Sequence, residues 1–171
     1  AAGAKVGLIG TNQNMIGNAA LPTDRTTPES FEVQKLFREM ADAGCTHVVM
    51  ETSSHALYLD RVYGVHYDVG VFTNLTQDHL DWHGSMAAYG AAKERIFGRK
   101  TVQVLNREDG AVMKMRKPGA PVLTFGTDEP VEPDAFGMHS DRGIVWLAVM
   151  SSVGDGIVRK NRKNPVSVET V

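Results

Sequence analysis

Two short stretches of this chain hold the residue types that do chemistry. One runs Phe72-Thr73-Asn74-Leu75-Thr76-Gln77-Asp78-His79-Leu80-Asp81-Trp82-His83-Gly84 and places two carboxylates and two imidazoles within six positions. It follows the apolar run Val69-Gly70-Val71, which reads as a buried strand. The other is Glu51-Thr52-Ser53-Ser54-His55, directly after the β-branched run Thr46-His47-Val48-Val49-Met50. Polar groups at the carboxyl end of a buried strand sit where open α/β sheets bind ligands, on a rigid scaffold with an open loop. Carboxylates suit hard cations, and imidazoles suit proton transfer or metal ligation. The plainer reading is also open: a solvated turn, and a helix start capped by Ser53 or Ser54 with His55 exposed.

The rest of the chain supplies the elements that would position these groups. Lys5-Val6-Gly7-Leu8-Ile9-Gly10 reads as a strand running into a loop. Gly7, Gly10 and Gly17 invite a phosphate-loop reading, and Gly10-Thr11-Asn12 sharpens it, but Gln13-Asn14-Met15 stands where a lysine and a hydroxyl residue are needed. Thr26-Thr27-Pro28-Glu29 precedes a helix with Val33, Leu36, Phe37 and Met40 on one face, stopped by Gly44. Thr27 as N-cap would put Pro28 at the first helical position, and Thr26 with Glu29 forms a competing capping box. The two threonine hydroxyls either cap the helix or hold an anion at its start. Residues 46–50 are expected as a central parallel strand. A short helix over 56–62 carries Asp60 and Arg61, and Ser85 caps a helix to Phe97 with Lys93 in its middle. Further strands are expected at 101–105 and 121–125, and one more at 143–150. The alternation of strand and helix argues for a mostly parallel sheet with helices on both faces.

Composition narrows the classes. The chain has 171 residues, 42% apolar and 22% charged, with a net charge of −2. A general nucleic-acid surface would need a basic excess, and no apolar run approaches the ~20 residues of a membrane span. The lone Cys45 excludes an internal disulfide, suits a cytoplasmic setting, and is expected as a small buried apolar side chain. Arg159-Lys160-Asn161-Arg162-Lys163 is a basic cluster expected at a mobile end.

Several motifs together resemble the central domain of the Mur ligases, most closely those of the MurE type, which add the third residue of the peptidoglycan stem peptide. They are Thr26-Thr27-Pro28, Met50-Glu51-Thr52-Ser53-Ser54-His55-Ala56-Leu57, Asp60-Arg61, the 72–84 stretch, and Tyr89-Gly90-Ala91-Ala92-Lys93. The resemblance spans about residues 5 to 147 and implies an α/β, P-loop-type central domain truncated at its N-terminal phosphate-loop end. It implies that Glu51 and His79 hold Mg2+ beside ATP, that Lys93 carries a carbamate and through it joins the metal site, and that Asn74 lies in the metal-proximal loop. Thr26, Thr27, Ser53 and Arg61 would contact the UDP-muramoyl dipeptide. The implied reaction phosphorylates a substrate carboxylate with ATP, and an amino acid, meso-diaminopimelate or lysine, then displaces phosphate.

The departures carry expectations of their own. The Gly-Lys-Thr-Thr loop is not found, Arg25 and Leu59 stand where relatives vary or carry a polar contact, and no Gly-Arg-Phe-Asn segment follows Trp146. The chain is therefore expected to be an interior fragment, residues 1–147 forming the domain and 148–171 unassigned. Its partners would be the remaining N- and C-terminal domains of the same enzyme. Alone it is expected to be an incompetent ligase, with a sheet position unfilled. Three alternatives stand beside this reading: a folylpolyglutamate synthase-like ligase, a non-catalytic substrate-binding module, and a metal-dependent hydrolase using Asp78, His79, Asp81 and His83.

Overall fold

The computed structural model describes residues 3–151, 154–159 and 167–170. The chain divides into two units. One comprises the residues up to Val65 together with Asp78–Ile96, and the other comprises His66–Gln77 with the residues from Phe97 on.

The first unit contains β1 (Val6–Ile9), β2 (Asn14–Ile16), β3 (Ala19–Leu21), α1 (Ser30–Asp42), β4 (His47–Met50), α2 (Ser54–Tyr58), α3 (Leu80–His83) and α4 (Met86–Glu94). Its sheet has the order β3-β2-β1-β4. Only β1 and β4 run parallel, from Val6 opposite His47 to Ile9 opposite Met50. β2 and β3 form an antiparallel hairpin about Gly17-Asn18, where Gly17 takes φ +60°. A glycine first in a two-residue hairpin turn matches the natural twist of the strands.

α1 starts later than its sequence suggests. Its N-cap is Glu29, which forms a capping box with Glu32, and not Thr27. The reason is that the Thr27 hydroxyl is engaged elsewhere, as described below. Val33 and Met40 are buried, and Met40 packs so closely over Gly7 that any larger residue there would meet its thioether. Gly44 follows the helix at φ +77°, the left-handed conformation glycine adopts freely. Ala56, Leu57 and Val62 form a second buried cluster, with Met50, Val65 and Ile96 packed against it. β4 differs from the central strand expected of it. Among the described residues it is the last strand of its sheet, and Val48 and Val49 are 43% and 57% exposed.

The second unit contains β5 (Val69–Phe72), β6 (Val102–Asn106), α5 (Gly110–Met113), β7 (Val122–Phe125), β8 (Ala135–Asp141), β9 (Ile144–Ser151), β10 (Gly154–Arg159) and β11 (Ser167–Thr170). Its sheet has the order β11-β10-β9-β8-β7-β6-β5. The pairs from β5 to β8 are parallel, and those from β8 to β11 are antiparallel. The α/β class read from the alternation holds. A hairpin and an antiparallel extension accompany its parallel part. β10 and β11 fall in the stretch that the sequence leaves unassigned. Of the basic cluster, residues 160–163 lie outside the described residues. No helix among the described residues is long and apolar enough to cross a membrane.

One close approach tests the second unit. A Cβ on Gly137 would run into the Asp128 carbonyl oxygen and the Arg107 guanidinium. That carbonyl also accepts the Met138 N–H at 2.9 Å, so it has little room to move. Gly137→Ala should therefore destabilise the chain by about 1–3 kcal/mol, as overpacking does, read as a lower midpoint in urea denaturation.

Candidate functional site

Glu51 leaves the end of β4 with its N–H still on the β1 ladder, donating to the Ile9 carbonyl at 2.9 Å. Its side chain is exposed. Thr11, in the turn after β1, donates twice to the same carboxylate oxygen: the Thr11 N–H reaches Glu51 Oε2 at 3.0 Å and the hydroxyl reaches it at 2.5 Å. These two bonds hold the Glu51 carboxyl below the ordinary carboxylate range. No hydrogen bond among the described residues engages Oε1. Because Gly10 to Gln13 joins strand to antiparallel strand, no helix N-terminus follows these glycines and the phosphate-loop reading is excluded here.

Thr27 is 1% exposed. Its hydroxyl donates to the Glu51 carbonyl at 2.9 Å and accepts the Ser53 N–H at 3.0 Å. The hydroxyl expected to cap α1 or touch substrate is thus committed inside the protein, between the residues on either side of Thr52. Ser53 caps α2 by accepting the Ala56 N–H at 3.1 Å, which leaves its own proton to donate. Thr26 Oγ1 lies 3.1 Å from Thr11 Oγ1. Arg61 is tied to Glu29, which also pairs with Arg25. Arg61 Nε is buried without a hydrogen-bond partner, an orphan donor of the kind a bound anion satisfies.

His79 sits at the start of α3 in the left-handed conformation, φ +52°. Its N–H donates to Asp78 Oδ1 at 2.8 Å, and its Nε2 is 3.4 Å from Asp78 Oδ2. Around it the His55 ring packs edge-on at 5.0 Å and the Tyr89 ring at 5.9 Å. His83 is bound to the buried Ser54 hydroxyl at 3.0 Å, which fastens α3 to the start of α2. Burial, and then the neighbouring His79 and His83, push the His55 pKa down. Lys93 of α4 has its ammonium 5.3 Å from the Tyr89 ring centroid. Burial lowers its pKa, and Asp78 opposes that shift.

Asn74 belongs to the second unit and is exposed. Its loop is pinned on both sides: Asn106 Nδ2 donates to the Thr73 carbonyl at 2.9 Å, and the Leu75 N–H donates to Asp109 at 2.8 Å. Thr11, Thr27's internal role, Tyr89 beside Lys93, and Asp109 were not legible as site features. Only the Gly10-Thr11 pair carried any signal, and it pointed to a phosphate loop.

The donor set can be tested against a cation. Glu51 offers one unengaged carboxylate oxygen and His79 an imidazole. Among the described residues no three His, Cys, Asp or Glu side chains gather around one point. Mg2+ takes much of its shell from substrate phosphates and water and needs no such cluster. A closed zinc site, and the hydrolase reading in which Asp78, His79, Asp81 and His83 share an ion, need one.

Thr27→Val should leave the Ser53 N–H without its acceptor and the Glu51 carbonyl without this donor. The expected loss is about 1–3 kcal/mol in urea denaturation, and Thr27→Ser should recover most of it.

Residues 1–154 match the family model described as the Mur ligase middle domain. Over 153 residues the chain is 45% identical to the UDP-N-acetylmuramoyl-L-alanyl-D-glutamate--2,6-diaminopimelate ligase of Clostridium botulinum, covering 88% of this chain and 32% of that protein. It is 49% identical over 159 residues to the ligase of the same name from Alkaliphilus metalliredigens, covering 90% of this chain and 32% of that one. A solved structure of a protein of this name superposes with a TM-score of 0.71 at 26% identity, over 92% of this chain and 34% of the other. A structure of E. coli FolC in complex with DHPP and ADP superposes at 0.55 with 16% identity over 86% of this chain and 40% of the other, which shows shared fold alone. The chain spans about a third of the length of the curated relatives it matches. It belongs to the Mur ligase family, as its middle domain.

Proposed function

We propose that this chain is the part of a UDP-N-acetylmuramoyl-L-alanyl-D-glutamate–amino-acid ligase that holds the muramoyl dipeptide beside the metal ion and the phosphate of ATP. One observation carries the reading. Glu51, Thr11, Thr26, Thr27 and Ser53 form one hydrogen-bonded patch, and Arg61, joined to Glu29 two residues beyond Thr27, keeps a buried, unsatisfied donor. Arg61 Nε–H and the Ser53 hydroxyl would donate to the substrate's carboxylate, and Thr27 would hold the backbone that presents Ser53. Any contact Thr27 makes to substrate falls to its backbone. The names of the relatives favour 2,6-diaminopimelate as the added amino acid.

Ligation by this route activates the free carboxylate as an acyl phosphate, which the incoming amine then attacks with loss of phosphate. Negative charge gathers on phosphoryl oxygens. Mg2+, held by Glu51 and His79, would neutralise that charge. Lys93 as an ammonium cannot ligate a cation, but as a carbamate it presents oxygens. Carbamate formation needs the neutral amine, and the burial that lowers the Lys93 pKa favours that form. Asn74 would lie in the metal-proximal loop. A cytoplasmic setting belongs to the same reading.

In a full-length ligase carrying this segment, Glu51→Ala should cut ligation by about a hundredfold or more, in line with losing a transition-state charge partner. Arg61→Lys should raise the KM for the muramoyl dipeptide, because an ammonium cannot replace the planar fork. Near-normal turnover in Glu51→Ala would overturn the metal assignment.

The carbamate has its own test. With 13C-bicarbonate, the wild-type protein should show a carbamate carbon resonance that is missing in Lys93→Ala. Because the folded-state pKa is lowered, this signal should grow as pH rises through a range below that of ordinary lysine.

A further inference from the structure

We propose that Thr11 is a positioning residue, which fixes the Glu51 carboxylate through Oε2 so that Oε1 faces a divalent cation, and which links that carboxylate to Thr26. The proposal rests on the reading of Glu51 as a cation ligand and extends it to a residue in the turn after β1, 40 positions away in the chain.

The geometry is specific. A lone exposed glutamate rotates about its terminal torsion and presents either oxygen. Here both Thr11 donors, the N–H at 3.0 Å and the O–H at 2.5 Å, converge on Oε2. That pins the carboxylate plane and leaves Oε1 as the oxygen with unused lone pairs. Such outer partners orient a ligand and set its basicity.

The same contacts fix the direction of the chain of hydroxyls. Thr11 has one hydroxyl proton, and Glu51 accepts it. In the 3.1 Å contact with Thr26, the Thr26 hydroxyl must therefore be the donor. The order is Thr26 O–H to Thr11 Oγ1, and Thr11 O–H to Glu51 Oε2. Thr26 then meets a ligand only as an acceptor. Hydrogen bonds in series polarise one another, so a ligand donor on Thr26 strengthens the hold on Glu51. A merely structural Thr11 would pin the β1–β2 turn and do nothing else.

The test uses a full-length ligase carrying this segment, with a non-hydrolysable ATP analogue and no turnover. Mn2+ binding is followed by the electron paramagnetic resonance of the free ion, for the parent, Thr11→Val, Thr11→Ser and Glu51→Gln. Thr11 is exposed, so Thr11→Val should leave the unfolding transition in place. The expected result is Mn2+ affinity about tenfold weaker in Thr11→Val and within about twofold of the parent in Thr11→Ser, the range seen when an outer partner of a metal ligand is lost. Parent-like affinity in Thr11→Val, with binding lost in Glu51→Gln, overturns the positioning role and spares Glu51 as ligand. Failure of Thr11→Ser to restore affinity overturns it too, since the hydroxyl is then not the cause. Parent-like affinity in Glu51→Gln removes the metal assignment itself, and the proposal with it.

Discussion

The loop leaving β4 depends on one buried hydroxyl. Where a strand ends and a helix begins, backbone groups lose their ladder partners before they gain helical ones, and buried groups of this kind must be satisfied. Thr27 supplies both halves, an O–H to the Glu51 carbonyl and an oxygen to the Ser53 N–H. Between these two bonds the chain turns from β4 to α2. The Glu51 side chain is thereby held on the side where Thr11 meets it, and the Ser53 side chain is free to cap α2. A single side chain from the segment before α1 thus sets the orientation of two residues more than twenty positions away.

This explains why Thr27 does not cap α1. A threonine hydroxyl has one proton to give, and here the part-buried Glu51 carbonyl takes it. Glu29 takes over the cap with its own carboxylate and that of Glu32. Sequence alone favoured Thr27 because local capping rules read only near neighbours. The competing partner, Glu51, is distant in sequence and became visible only in the fold.

The same distinction sorts what the sequence revealed from what it did not. Elements marked by local chemistry were legible: Ser85 caps α4, Ser53 caps α2, Gly44 closes α1, and the β-branched runs at 47–50 and 69–72 are strands. Pairing was less so. The alternation of strand and helix says nothing about which strands adjoin, so the β2–β3 hairpin, three residues a side, and the antiparallel run from β8 onward escaped it. Val48 and Val49 read as core on composition, yet a strand that is last in its sheet leaves them exposed. Among site residues, Glu51 and Arg61 carry in the fold the environments that their types suggest: a carboxylate with one oxygen open, and a guanidinium with one donor unmet. Thr11 carried only a misleading signal, toward a phosphate loop, because a Gly-Thr pair after a strand suits many turns.

Two opposing influences act on the Lys93 amine. Burial disfavours its charged form, and the Asp78 carboxylate favours it. Asp78 is also bonded to the backbone of His79 and lies beside its ring, so the charge that tempers Lys93 belongs to the loop that orients the imidazole. The titration of the lysine and the geometry of the histidine are consequently not independent, and a change in one carboxylate reaches both.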